Sequence, residues 1–438
     1  MKKIIISKYI FPVIGLMITI LTGCVEDEMA YDPSKPFNIE SFIPTEGGGG
    51  TEILINGSNF PTDISLLSLS LNGNPLSIVG ANTTQIMAVV PKKAGSGPIV
   101  IDIEGNKAES EESFTYKFTR TVTTLAGNGT AGYQDGQGQD AMFNFNGEVW
   151  YRSMGITVDD DLNVYVADPG NHCIRKIDSL GNVITLVGNP NVAGYADGQG
   201  TSAHFSLPYD VALDKDGNLF VVDPGNWDVR KVSPDGVATT WAWGAQAPWS
   251  VAVDPTSGVV YYSSCSSPGN VYPVMAQWTT GDPIVTDLNY PAGIAFDKEG
   301  NLLLSSNGDQ VIKKYTAGTW QETLIAGQQG SAGYENGSST EAKFAYPWGL
   351  TVDEYGNVYV AGNGTWDGGS YNPDQSIRLI DTNKMAVSTF AGSGTAAYTN
   401  AIGSAAAFNA PTGVAVDKNG TVYVLDKNNN MIRKIVSE

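Results

Sequence analysis

Histidine, cysteine and positive charge are scarce in this chain of 438 residues. The two histidines, His172 and His204, are too few for a zinc centre built on several histidines, and we expect no cofactor. An exported protein that depends on disulfide bonds carries more than three cysteines, so Cys173 and Cys265 are interpreted as small core residues. With 25 basic and 45 acidic residues, the net charge of -20 makes nucleic acid and anionic lipid poor partners. A neutral ligand, or a cation held by carboxylates, remains open.

Long apolar runs are also missing, apart from one at the start of the chain. Three lysines accompany the run Ile10–Leu21, which is too short to cross a bilayer and is typical of an export signal. Residues 1–23 are therefore predicted to be a signal peptide. No later segment is long and apolar enough to cross a membrane again.

The predicted signal ends in Leu21-Thr22-Gly23-Cys24, which resembles the lipobox of bacterial lipoproteins. The resemblance implies cleavage before Cys24 and acylation of its sulfur and new amine. The alternative is that Cys24 merely follows a cleaved signal. Glu26, Asp27 and Glu28 resemble the acidic surface-export signals of Bacteroidetes lipoproteins. Together these resemblances imply an outer-membrane protein that is exposed at the cell surface and touches the membrane through its lipid anchor only.

Residues 24–35 are polar, as expected of a flexible tether. Residues 36–118 alternate short β-rich runs, such as TEILINGSNF and PIVIDIEG, with turn clusters, and this spacing predicts a β-sandwich. Pro44, the glycine turn Gly47–Gly50 and the run that follows it resemble the IPT/TIG family of immunoglobulin-like domains. Such domains commonly act as spacers. Since no polar residues gather into a site here, a spacer is favoured over a binding domain.

Residues 120–438 repeat one pattern six times. Each copy has an apolar run that ends in aspartate, a turn, a second run such as NVYVAD and, in most copies, two further runs; four short antiparallel strands per copy predict propeller blades. The last copy lacks a fourth strand, whereas TVTTLAG at 121–127 is a fourth strand without its first three. The predicted fold is therefore all-β: an immunoglobulin-like sandwich and then a six-bladed β-propeller that this N-terminal strand closes.

The phrases ADPGNHCIRKID at 167–178 and VDPGNWDVRKV at 222–232 resemble the NHL repeat. The resemblance spans residues 120–438 and implies the propeller fold. It implies little about function, because related propellers bind proteins, RNA or glycans, and some are enzymes.

Aromatic residues recur on one predicted face of the propeller, where the inner strands begin. The residue before each inner strand's first position is, in blade order, Met154, Tyr209, Trp249, Ala292, Trp348 and Thr412. Three of the six are large aromatics, and such rings stack on the apolar faces of pyranoses. The alternative is that they plug the propeller axis. Trp227, Trp366 and Tyr371 lie in loops that are predicted to join the same face.

Polar residues on that face also have two interpretations. Asn171 and Asn226, each in an Asp-Pro-Gly-Asn turn, are placed to bind a ligand or merely to form the turn, and turn formation is favoured. For the six repeat aspartates, turn formation is favoured over a metal-binding role, because they sit where inner strands end and turns begin. These residues are Asp159, Asp214, Asp254, Asp297, Asp353 and Asp417.

The leading functional hypothesis is a non-catalytic surface lipoprotein that binds a glycan on the loop face of the propeller, with a polysaccharide-uptake system as its proposed setting. A protein-interaction scaffold is the second hypothesis. A metal-dependent lyase or hydrolase is the third, and it has less support because the inner strands contribute no glutamate and the chain has no Gly-x-Ser-x-Gly elbow or phosphate loop. A glycosidase that uses paired carboxylates remains open.

Overall fold

Short apolar runs, bounded by glycine, asparagine and proline, fold as β-strands along both parts of this chain. The structure is a computed structural model that describes residues 30–146, 154–274, 280–362 and 374–438. The described chain divides after Lys117 into two compact units. Its helices are single 3-10 turns: Ile64–Leu66, Gly138–Asp140, Pro169–Asn171, Gly200–Ser202, Gly403–Ala405 and Lys427–Asn429.

The first unit is a sandwich of two sheets. One sheet has the order β1-β3-β7-β6 and the other β2-β9-β8-β4-β5. Alternate residues of β3 and β8, such as Ile53, Ile55 and Ile101, point into one buried apolar core between the sheets. The strands are β1 (Asn38–Ile43), β2 (Glu46–Gly47), β3 (Glu52–Ser58), β4 (Leu67–Leu71), β5 (Asn74–Pro75), β6 (Ser77–Ala81), β7 (Gln85–Val89), β8 (Gly97–Ile103) and β9 (Asn106–Tyr116).

The second unit contains six sheets, one for each sequence repeat. The first strand of the unit is β10 (Arg120–Ala126). Blade 1 has β11 (Gly136–Gln137), β12 (Ile156–Val158), β13 (Val164–Asp168), β14 (Cys173–Ile177) and β15 (Asn182–Val187). Blade 2 has β16 (Gly198–Gln199), β17 (Asp210–Leu213), β18 (Leu219–Asp223), β19 (Asp228–Val232) and β20 (Val237–Trp243). Blade 3 has β21 (Pro248–Val253), β22 (Val260–Ser264), β23 (Gly269–Val274) and β24 (Val285–Leu288).

The remaining blades follow the same order. Blade 4 has β25 (Pro291–Phe296), β26 (Leu302–Ser306), β27 (Val311–Tyr315) and β28 (Glu322–Ala326). Blade 5 has β29 (Gly337–Ser338), β30 (Pro347–Val352), β31 (Val358–Gly362), β32 (Gln375–Asp381) and β33 (Ala386–Gly394). Blade 6 has β34 (Pro411–Val416), β35 (Val422–Asp426) and β36 (Met431–Ser437).

The six sheets form a closed ring. Each inner strand contacts the inner strand of the next blade, and β34 of blade 6 contacts β12 of blade 1. Strand β10 pairs antiparallel with β36, with Thr121 opposite Val436, and so supplies the fourth strand of blade 6. The all-β fold of a sandwich followed by a propeller, closed by an N-terminal strand, is therefore confirmed.

The second strand of every blade is buried on both faces, as in β13, β18 and β35. A strand between two packed neighbours has no solvent face, which explains why these runs are apolar throughout rather than alternating. The first strands line the axis, so the turns between strands two and three and the connections between blades share one rim, named here the upper face.

Candidate functional site

The inner strands meet so closely at the axis that four blades have glycine at the same position. A Cβ atom on Gly413 would lie 2.1 Å from the carbonyl oxygen of Met154, and one on Gly349 would lie 2.4 Å from that of Thr412. Blades 2 and 3 instead have Asp210 and Ser250. The Ser250 hydroxyl donates to Asp210 Oδ2 at 2.7 Å and accepts the amide of Ile294 at 3.1 Å, so side chains join blades 2, 3 and 4.

The axial channel that these strands leave is small. Its volume is ≈ 190 Å³, below the usual 300–1,000 Å³ of small-molecule sites, and the inner strands of all six blades line it. Asp210 is the only charged residue among its lining residues. Burial raises the pKa of Asp210 to about 6, against hydrogen bonds from Ser250 and two amides that lower it. The channel is therefore a poor site for a sugar.

The three aromatics predicted to form a ligand platform are part of the core. Tyr209, Trp249 and Trp348 occupy equivalent positions above the channel, but they expose only 2%, 6% and 2% of their surface. They belong to one apolar cluster, in which the Trp249 and Trp348 rings lie 5.5 Å apart. The expectation of an exposed platform is corrected here, because a buried ring has no free face on which a sugar can stack. Their burial favours the plug interpretation.

Asn171 and Asn226 make equivalent hydrogen bonds within their turns. Asn171 Nδ2 donates to Asp168 Oδ2 at 2.8 Å and to the carbonyl of Gly132 at 2.9 Å. Asn226 Nδ2 donates to Asp223 Oδ2 at 2.8 Å and to the carbonyl of Gly194 at 2.9 Å. Since both amide hydrogens bind the protein, these contacts support the turn interpretation for both residues.

The repeat aspartates also accept backbone hydrogen bonds in their turns, as predicted. Asp159 accepts the amide of Asn163 at 2.7 Å, and Asp214 accepts that of Asn218 at 2.8 Å. Within the described ranges, no three His, Cys, Asp or Glu side chains lie together as a metal site would require. Cys173 and Cys265 are both buried and free.

A buried arginine stabilises four of the six blades. In blade 1, Arg175 binds Asp168 at 2.9 Å and Asp135 at 2.7 Å, and its guanidinium lies between the rings of Tyr133 and Phe143. Arg230, Arg378 and Arg433 repeat the two rings and two backbone carbonyls in blades 2, 5 and 6. The conserved geometry gives these arginines a structural role within the repeat.

Trp227 differs from Tyr209, Trp249 and Trp348 because it faces solvent. It ends the turn between β18 and β19 with a φ of 57°, and 58% of its surface is exposed. The same left-handed position holds His172 in blade 1 and Asn430 in blade 6. Asparagine and histidine adopt this conformation far more readily than a bulky ring does. A strained, exposed tryptophan that gains no burial is a feature that clusters at functional sites.

Two aromatics that the sequence analysis did not select extend this surface. Trp243, at the end of β20, is 50% exposed and pairs in register with Asp228, the residue after Trp227. Its ring meets the edge of Tyr195 at 4.8 Å, and Tyr195 is held by Arg230 beneath it and by Thr240 Oγ1 at 2.6 Å. We name Trp227, Trp243 and Tyr195 the blade 2 rim. The sequence does carry one signal for this surface: blade 2 has Trp243 at the position where blade 1 has Gly188.

Two buried carboxyl groups lie under this rim. Asp228 and Asp223 are fully buried, and neither oxygen of Asp228 has a hydrogen-bond donor among the described residues. Burial raises the pKa of Asp228 to about 8, with a further increase from the charge of Asp223 and a decrease from Arg230. Burial also raises the pKa of Asp223, to about 7. The pair therefore retains a proton near neutral pH.

Several predicted residues lie outside the described ranges: Cys24, Trp366 and Tyr371. The predicted signal segment lies outside them too. Across the described ranges, no helix has the length and hydropathy needed to cross a membrane.

Solved structures from Bacteroides share the fold. A protein of unknown function from Bacteroides thetaiotaomicron aligns with a TM-score of 0.64 and 21% identity, over 93% of this chain and 100% of the other. A protein described as an auxiliary nutrient binding protein, from the same organism, aligns with a TM-score of 0.57 and 24% identity, over 93% and 99%. At this identity the likeness shows the fold alone.

Curated sequences resemble the propeller. NHL repeat-containing protein 2 of Gallus gallus is 26% identical over 360 residues, which covers 77% of this chain and 46% of the relative. SUPPRESSOR OF QUENCHING 1 of Arabidopsis thaliana is 25% identical over 328 residues, which covers 72% and 27%. The chain thus spans less than half the length of either relative. The IPT/TIG domain family matches residues 36–116, and the NHL repeat matches residues 155–177 and 408–435. The chain therefore combines an IPT/TIG domain with a β-propeller that contains NHL repeats.

Proposed function

We propose that this protein is a lipid-anchored binding protein of the cell surface and that its propeller binds a glycan at the blade 2 rim. The observation that carries the proposal is Trp227, which holds an exposed indole in a backbone conformation that bulky residues rarely adopt. Trp243 and Tyr195 add two more exposed rings in the same blade; they contact each other, and Trp243 pairs with Asp228, the residue after Trp227. Indole and phenol faces stack on pyranose rings without a charge on the ligand, which suits a chain with a net charge of -20.

The fold comparison supports a binding function in general terms. One solved structure with this architecture is described as an auxiliary nutrient binding protein. The blade 2 rim is equally suited in composition to a protein partner, since tryptophan and tyrosine dominate protein interfaces. The small axial channel and the absence of a metal cluster from the described residues give the third hypothesis, a metal-dependent enzyme, no further support.

The binding proposal is tested by gel retention in four neutral polysaccharides: xyloglucan, amylopectin, laminarin and yeast mannan. Trp227→Ala and Trp243→Ala are each expected to weaken retention in the polysaccharide that binds, by roughly 1–3 kcal/mol, with little change in melting temperature. Tyr355→Ala is the matched control, because Tyr355 is an exposed aromatic in a turn on the opposite face. Retention that survives both tryptophan substitutions would exclude the blade 2 rim as the glycan site.

The buried aromatics give the complementary result. Trp348→Ala is expected to lower stability by roughly 3–5 kcal/mol, as core aromatics do, and to reduce binding only as far as the fold is lost. If none of the four polysaccharides retards the protein, the scaffold hypothesis takes precedence.

The anchor is part of the same proposal and rests on Leu21-Thr22-Gly23-Cys24. Cys24→Ala is expected to abolish the incorporation of radiolabelled palmitate and to release the protein from the membrane fraction. Label that persists in this variant would rule out the lipoprotein interpretation.

A further inference from the structure

One arginine of the described chain has no carboxylate partner. Arg175, Arg230, Arg378 and Arg433 each bind at least one aspartate and lie between two aromatic rings. Arg120, at the start of β10, has one ring and one weak acceptor: its guanidinium lies 4.3 Å above Phe390, and Nη1 donates to the Phe390 carbonyl at 3.5 Å. Its buried Nε has no acceptor among the described residues, a feature that it shares with the other four arginines, so the missing carboxylate is what sets Arg120 apart.

Arg120 lines an open pocket between the outer edge of blade 5 and the closing strand of blade 6. The pocket has a volume of ≈ 460 Å³, within the range of small-molecule sites. The bridge between Thr121 and Ile402, and the amide of Val122 on the carbonyl of Ala401, fix β10 against one wall. The closing strand thus begins with a cation at the position where the fourth strands of blades 1 and 2 are preceded by Gly181 and Gly236.

The chemistry of the remaining walls is mixed. Phe118 and Ile402 are exposed apolar side chains, and Ser404 supplies an exposed hydroxyl. Asn336 and Thr389 add an amide and a hydroxyl group that hydrogen-bond each other at 3.2 Å. No aspartate or glutamate lines the pocket, although the chain carries 45 acidic residues. Burial lowers the pKa of Arg120, but a guanidinium stays charged throughout the accessible pH range. An unneutralised, partly buried cation in an acid-free pocket is a site for an anion.

We propose that this pocket binds the carboxylate of a uronic acid residue. The guanidinium pairs with the carboxylate, the apolar rim contacts the ring, and the amide and hydroxyl groups bind the sugar hydroxyls. A peptide C-terminus offers the same carboxylate, but it would leave the polar wall at Asn336, Thr389 and Ser404 without ring hydroxyls to bind. This second site is independent of the glycan site at the blade 2 rim.

The test measures binding of trigalacturonate to the full-length chain by isothermal titration calorimetry, with maltotriose as the neutral match. Trigalacturonate is expected to bind and maltotriose not to bind at this pocket. Arg120→Gln is expected to weaken trigalacturonate binding about 10-fold or more, because a charge-assisted hydrogen bond is lost. Arg120→Lys, which keeps the charge, is expected to retain part of the affinity.

Two further variants separate a binding role from a structural one. Ser404→Trp fills the pocket from its exposed side and leaves Arg120 in place, so it is expected to abolish binding while the melting temperature stays unchanged. Trp227→Ala is expected to leave trigalacturonate binding intact, which distinguishes this proposal from failure of the blade 2 site. The proposal is overturned if trigalacturonate does not bind, or if its binding is unaffected by Arg120→Gln and Ser404→Trp. It is also overturned if N-acetyl-dialanine binds as well as trigalacturonate.

Discussion

Blades 1, 2, 5 and 6 differ from blades 3 and 4 in how the chain enters them. Long connections, such as 188–209 and 327–346, lead into the first group, whereas blades 3 and 4 follow the short segments 244–247 and 289–290. Each long connection supplies the tyrosine and phenylalanine that enclose the blade's arginine, for example Tyr334 and Phe344 around Arg378. Blades 3 and 4 have Tyr272 and Lys313 at the arginine position.

The difference shows that the presence of the buried arginine depends on the long connection, although the arginine itself lies in the third strand of the blade. A guanidinium can be buried only where carbonyls, a carboxylate and two rings surround it, and the connection brings most of these. Where the connection is short, the blade has a tyrosine or a lysine in place of the arginine. The outer strands β24 and β28 are then sheet edges, whereas β15, β20 and β33 each pair with a short added strand.

The largest effect is expected from removing one enclosed arginine. Arg175→Met leaves Asp168 buried without its cation, and we expect a loss of about 3–5 kcal/mol in the free energy of unfolding. Lys313→Met in blade 4 is the matched change, and it should cost less, about 1 kcal/mol, because Glu322 is exposed and Asp309 keeps its hydrogen bonds from Asn289 and Ser306. Urea denaturation measures both. Equal losses would mean that the connection does not decide the arginine's contribution.

An intermediate effect is expected from replacing Asp228. Blade 2 differs from blades 1, 5 and 6 because it has this second buried aspartate two residues before its arginine. Both Asp223 and Asp228 have pKa values raised above the unfolded value of 3.8, so these two groups bind more protons in the folded protein than in the unfolded chain between about pH 4 and pH 8. Stability therefore falls as pH rises through this range. Asp228→Ser, which introduces the residue of blade 5 at this position, should flatten the decline and raise the melting temperature at pH 9 by about 2–4 °C.

The control for this pH dependence is Asp216→Ser, since Asp216 is an exposed aspartate of the same blade. Melting temperatures at pH 5, 7 and 9 compare the three proteins. If Asp228→Ser and Asp216→Ser show the same slope as the unmodified chain, the buried pair is not the source of the pH dependence.

The smallest effect is expected in local opening. Amides of the edge strands β24 and β28 should exchange with deuterium sooner than those of β15 and β33, because the latter pair with β11 and β29 and lie under the long connections. Exchange measured by mass spectrometry on peptides from these strands gives the comparison. Faster exchange from blades 1 and 5 would show that the connections do not protect the blade edges.

The repeat made most of the fold predictable from sequence. Six apolar runs that end in aspartate, and the separated strand at 121–127, were enough for the ring and its closure. The candidate site was harder, because equivalent positions reveal where Tyr209, Trp249 and Trp348 lie but not whether other residues cover them. Trp227 and Trp243 show the opposite problem: their exposure depends on the backbone of two turns from different parts of blade 2.

The closure of blade 6 has a consequence for engineering. Thr119 and Glu438 exchange two backbone hydrogen bonds, of 2.8 and 2.9 Å, so the two ends of the ring lie side by side. A short peptide linker between them would make the ring continuous, and new termini could then open in the segment 244–247, where no long connection crosses the blade edge. Such a circular permutant would have its termini before blade 3, directly after Trp243 of the blade 2 rim, instead of beside blade 6.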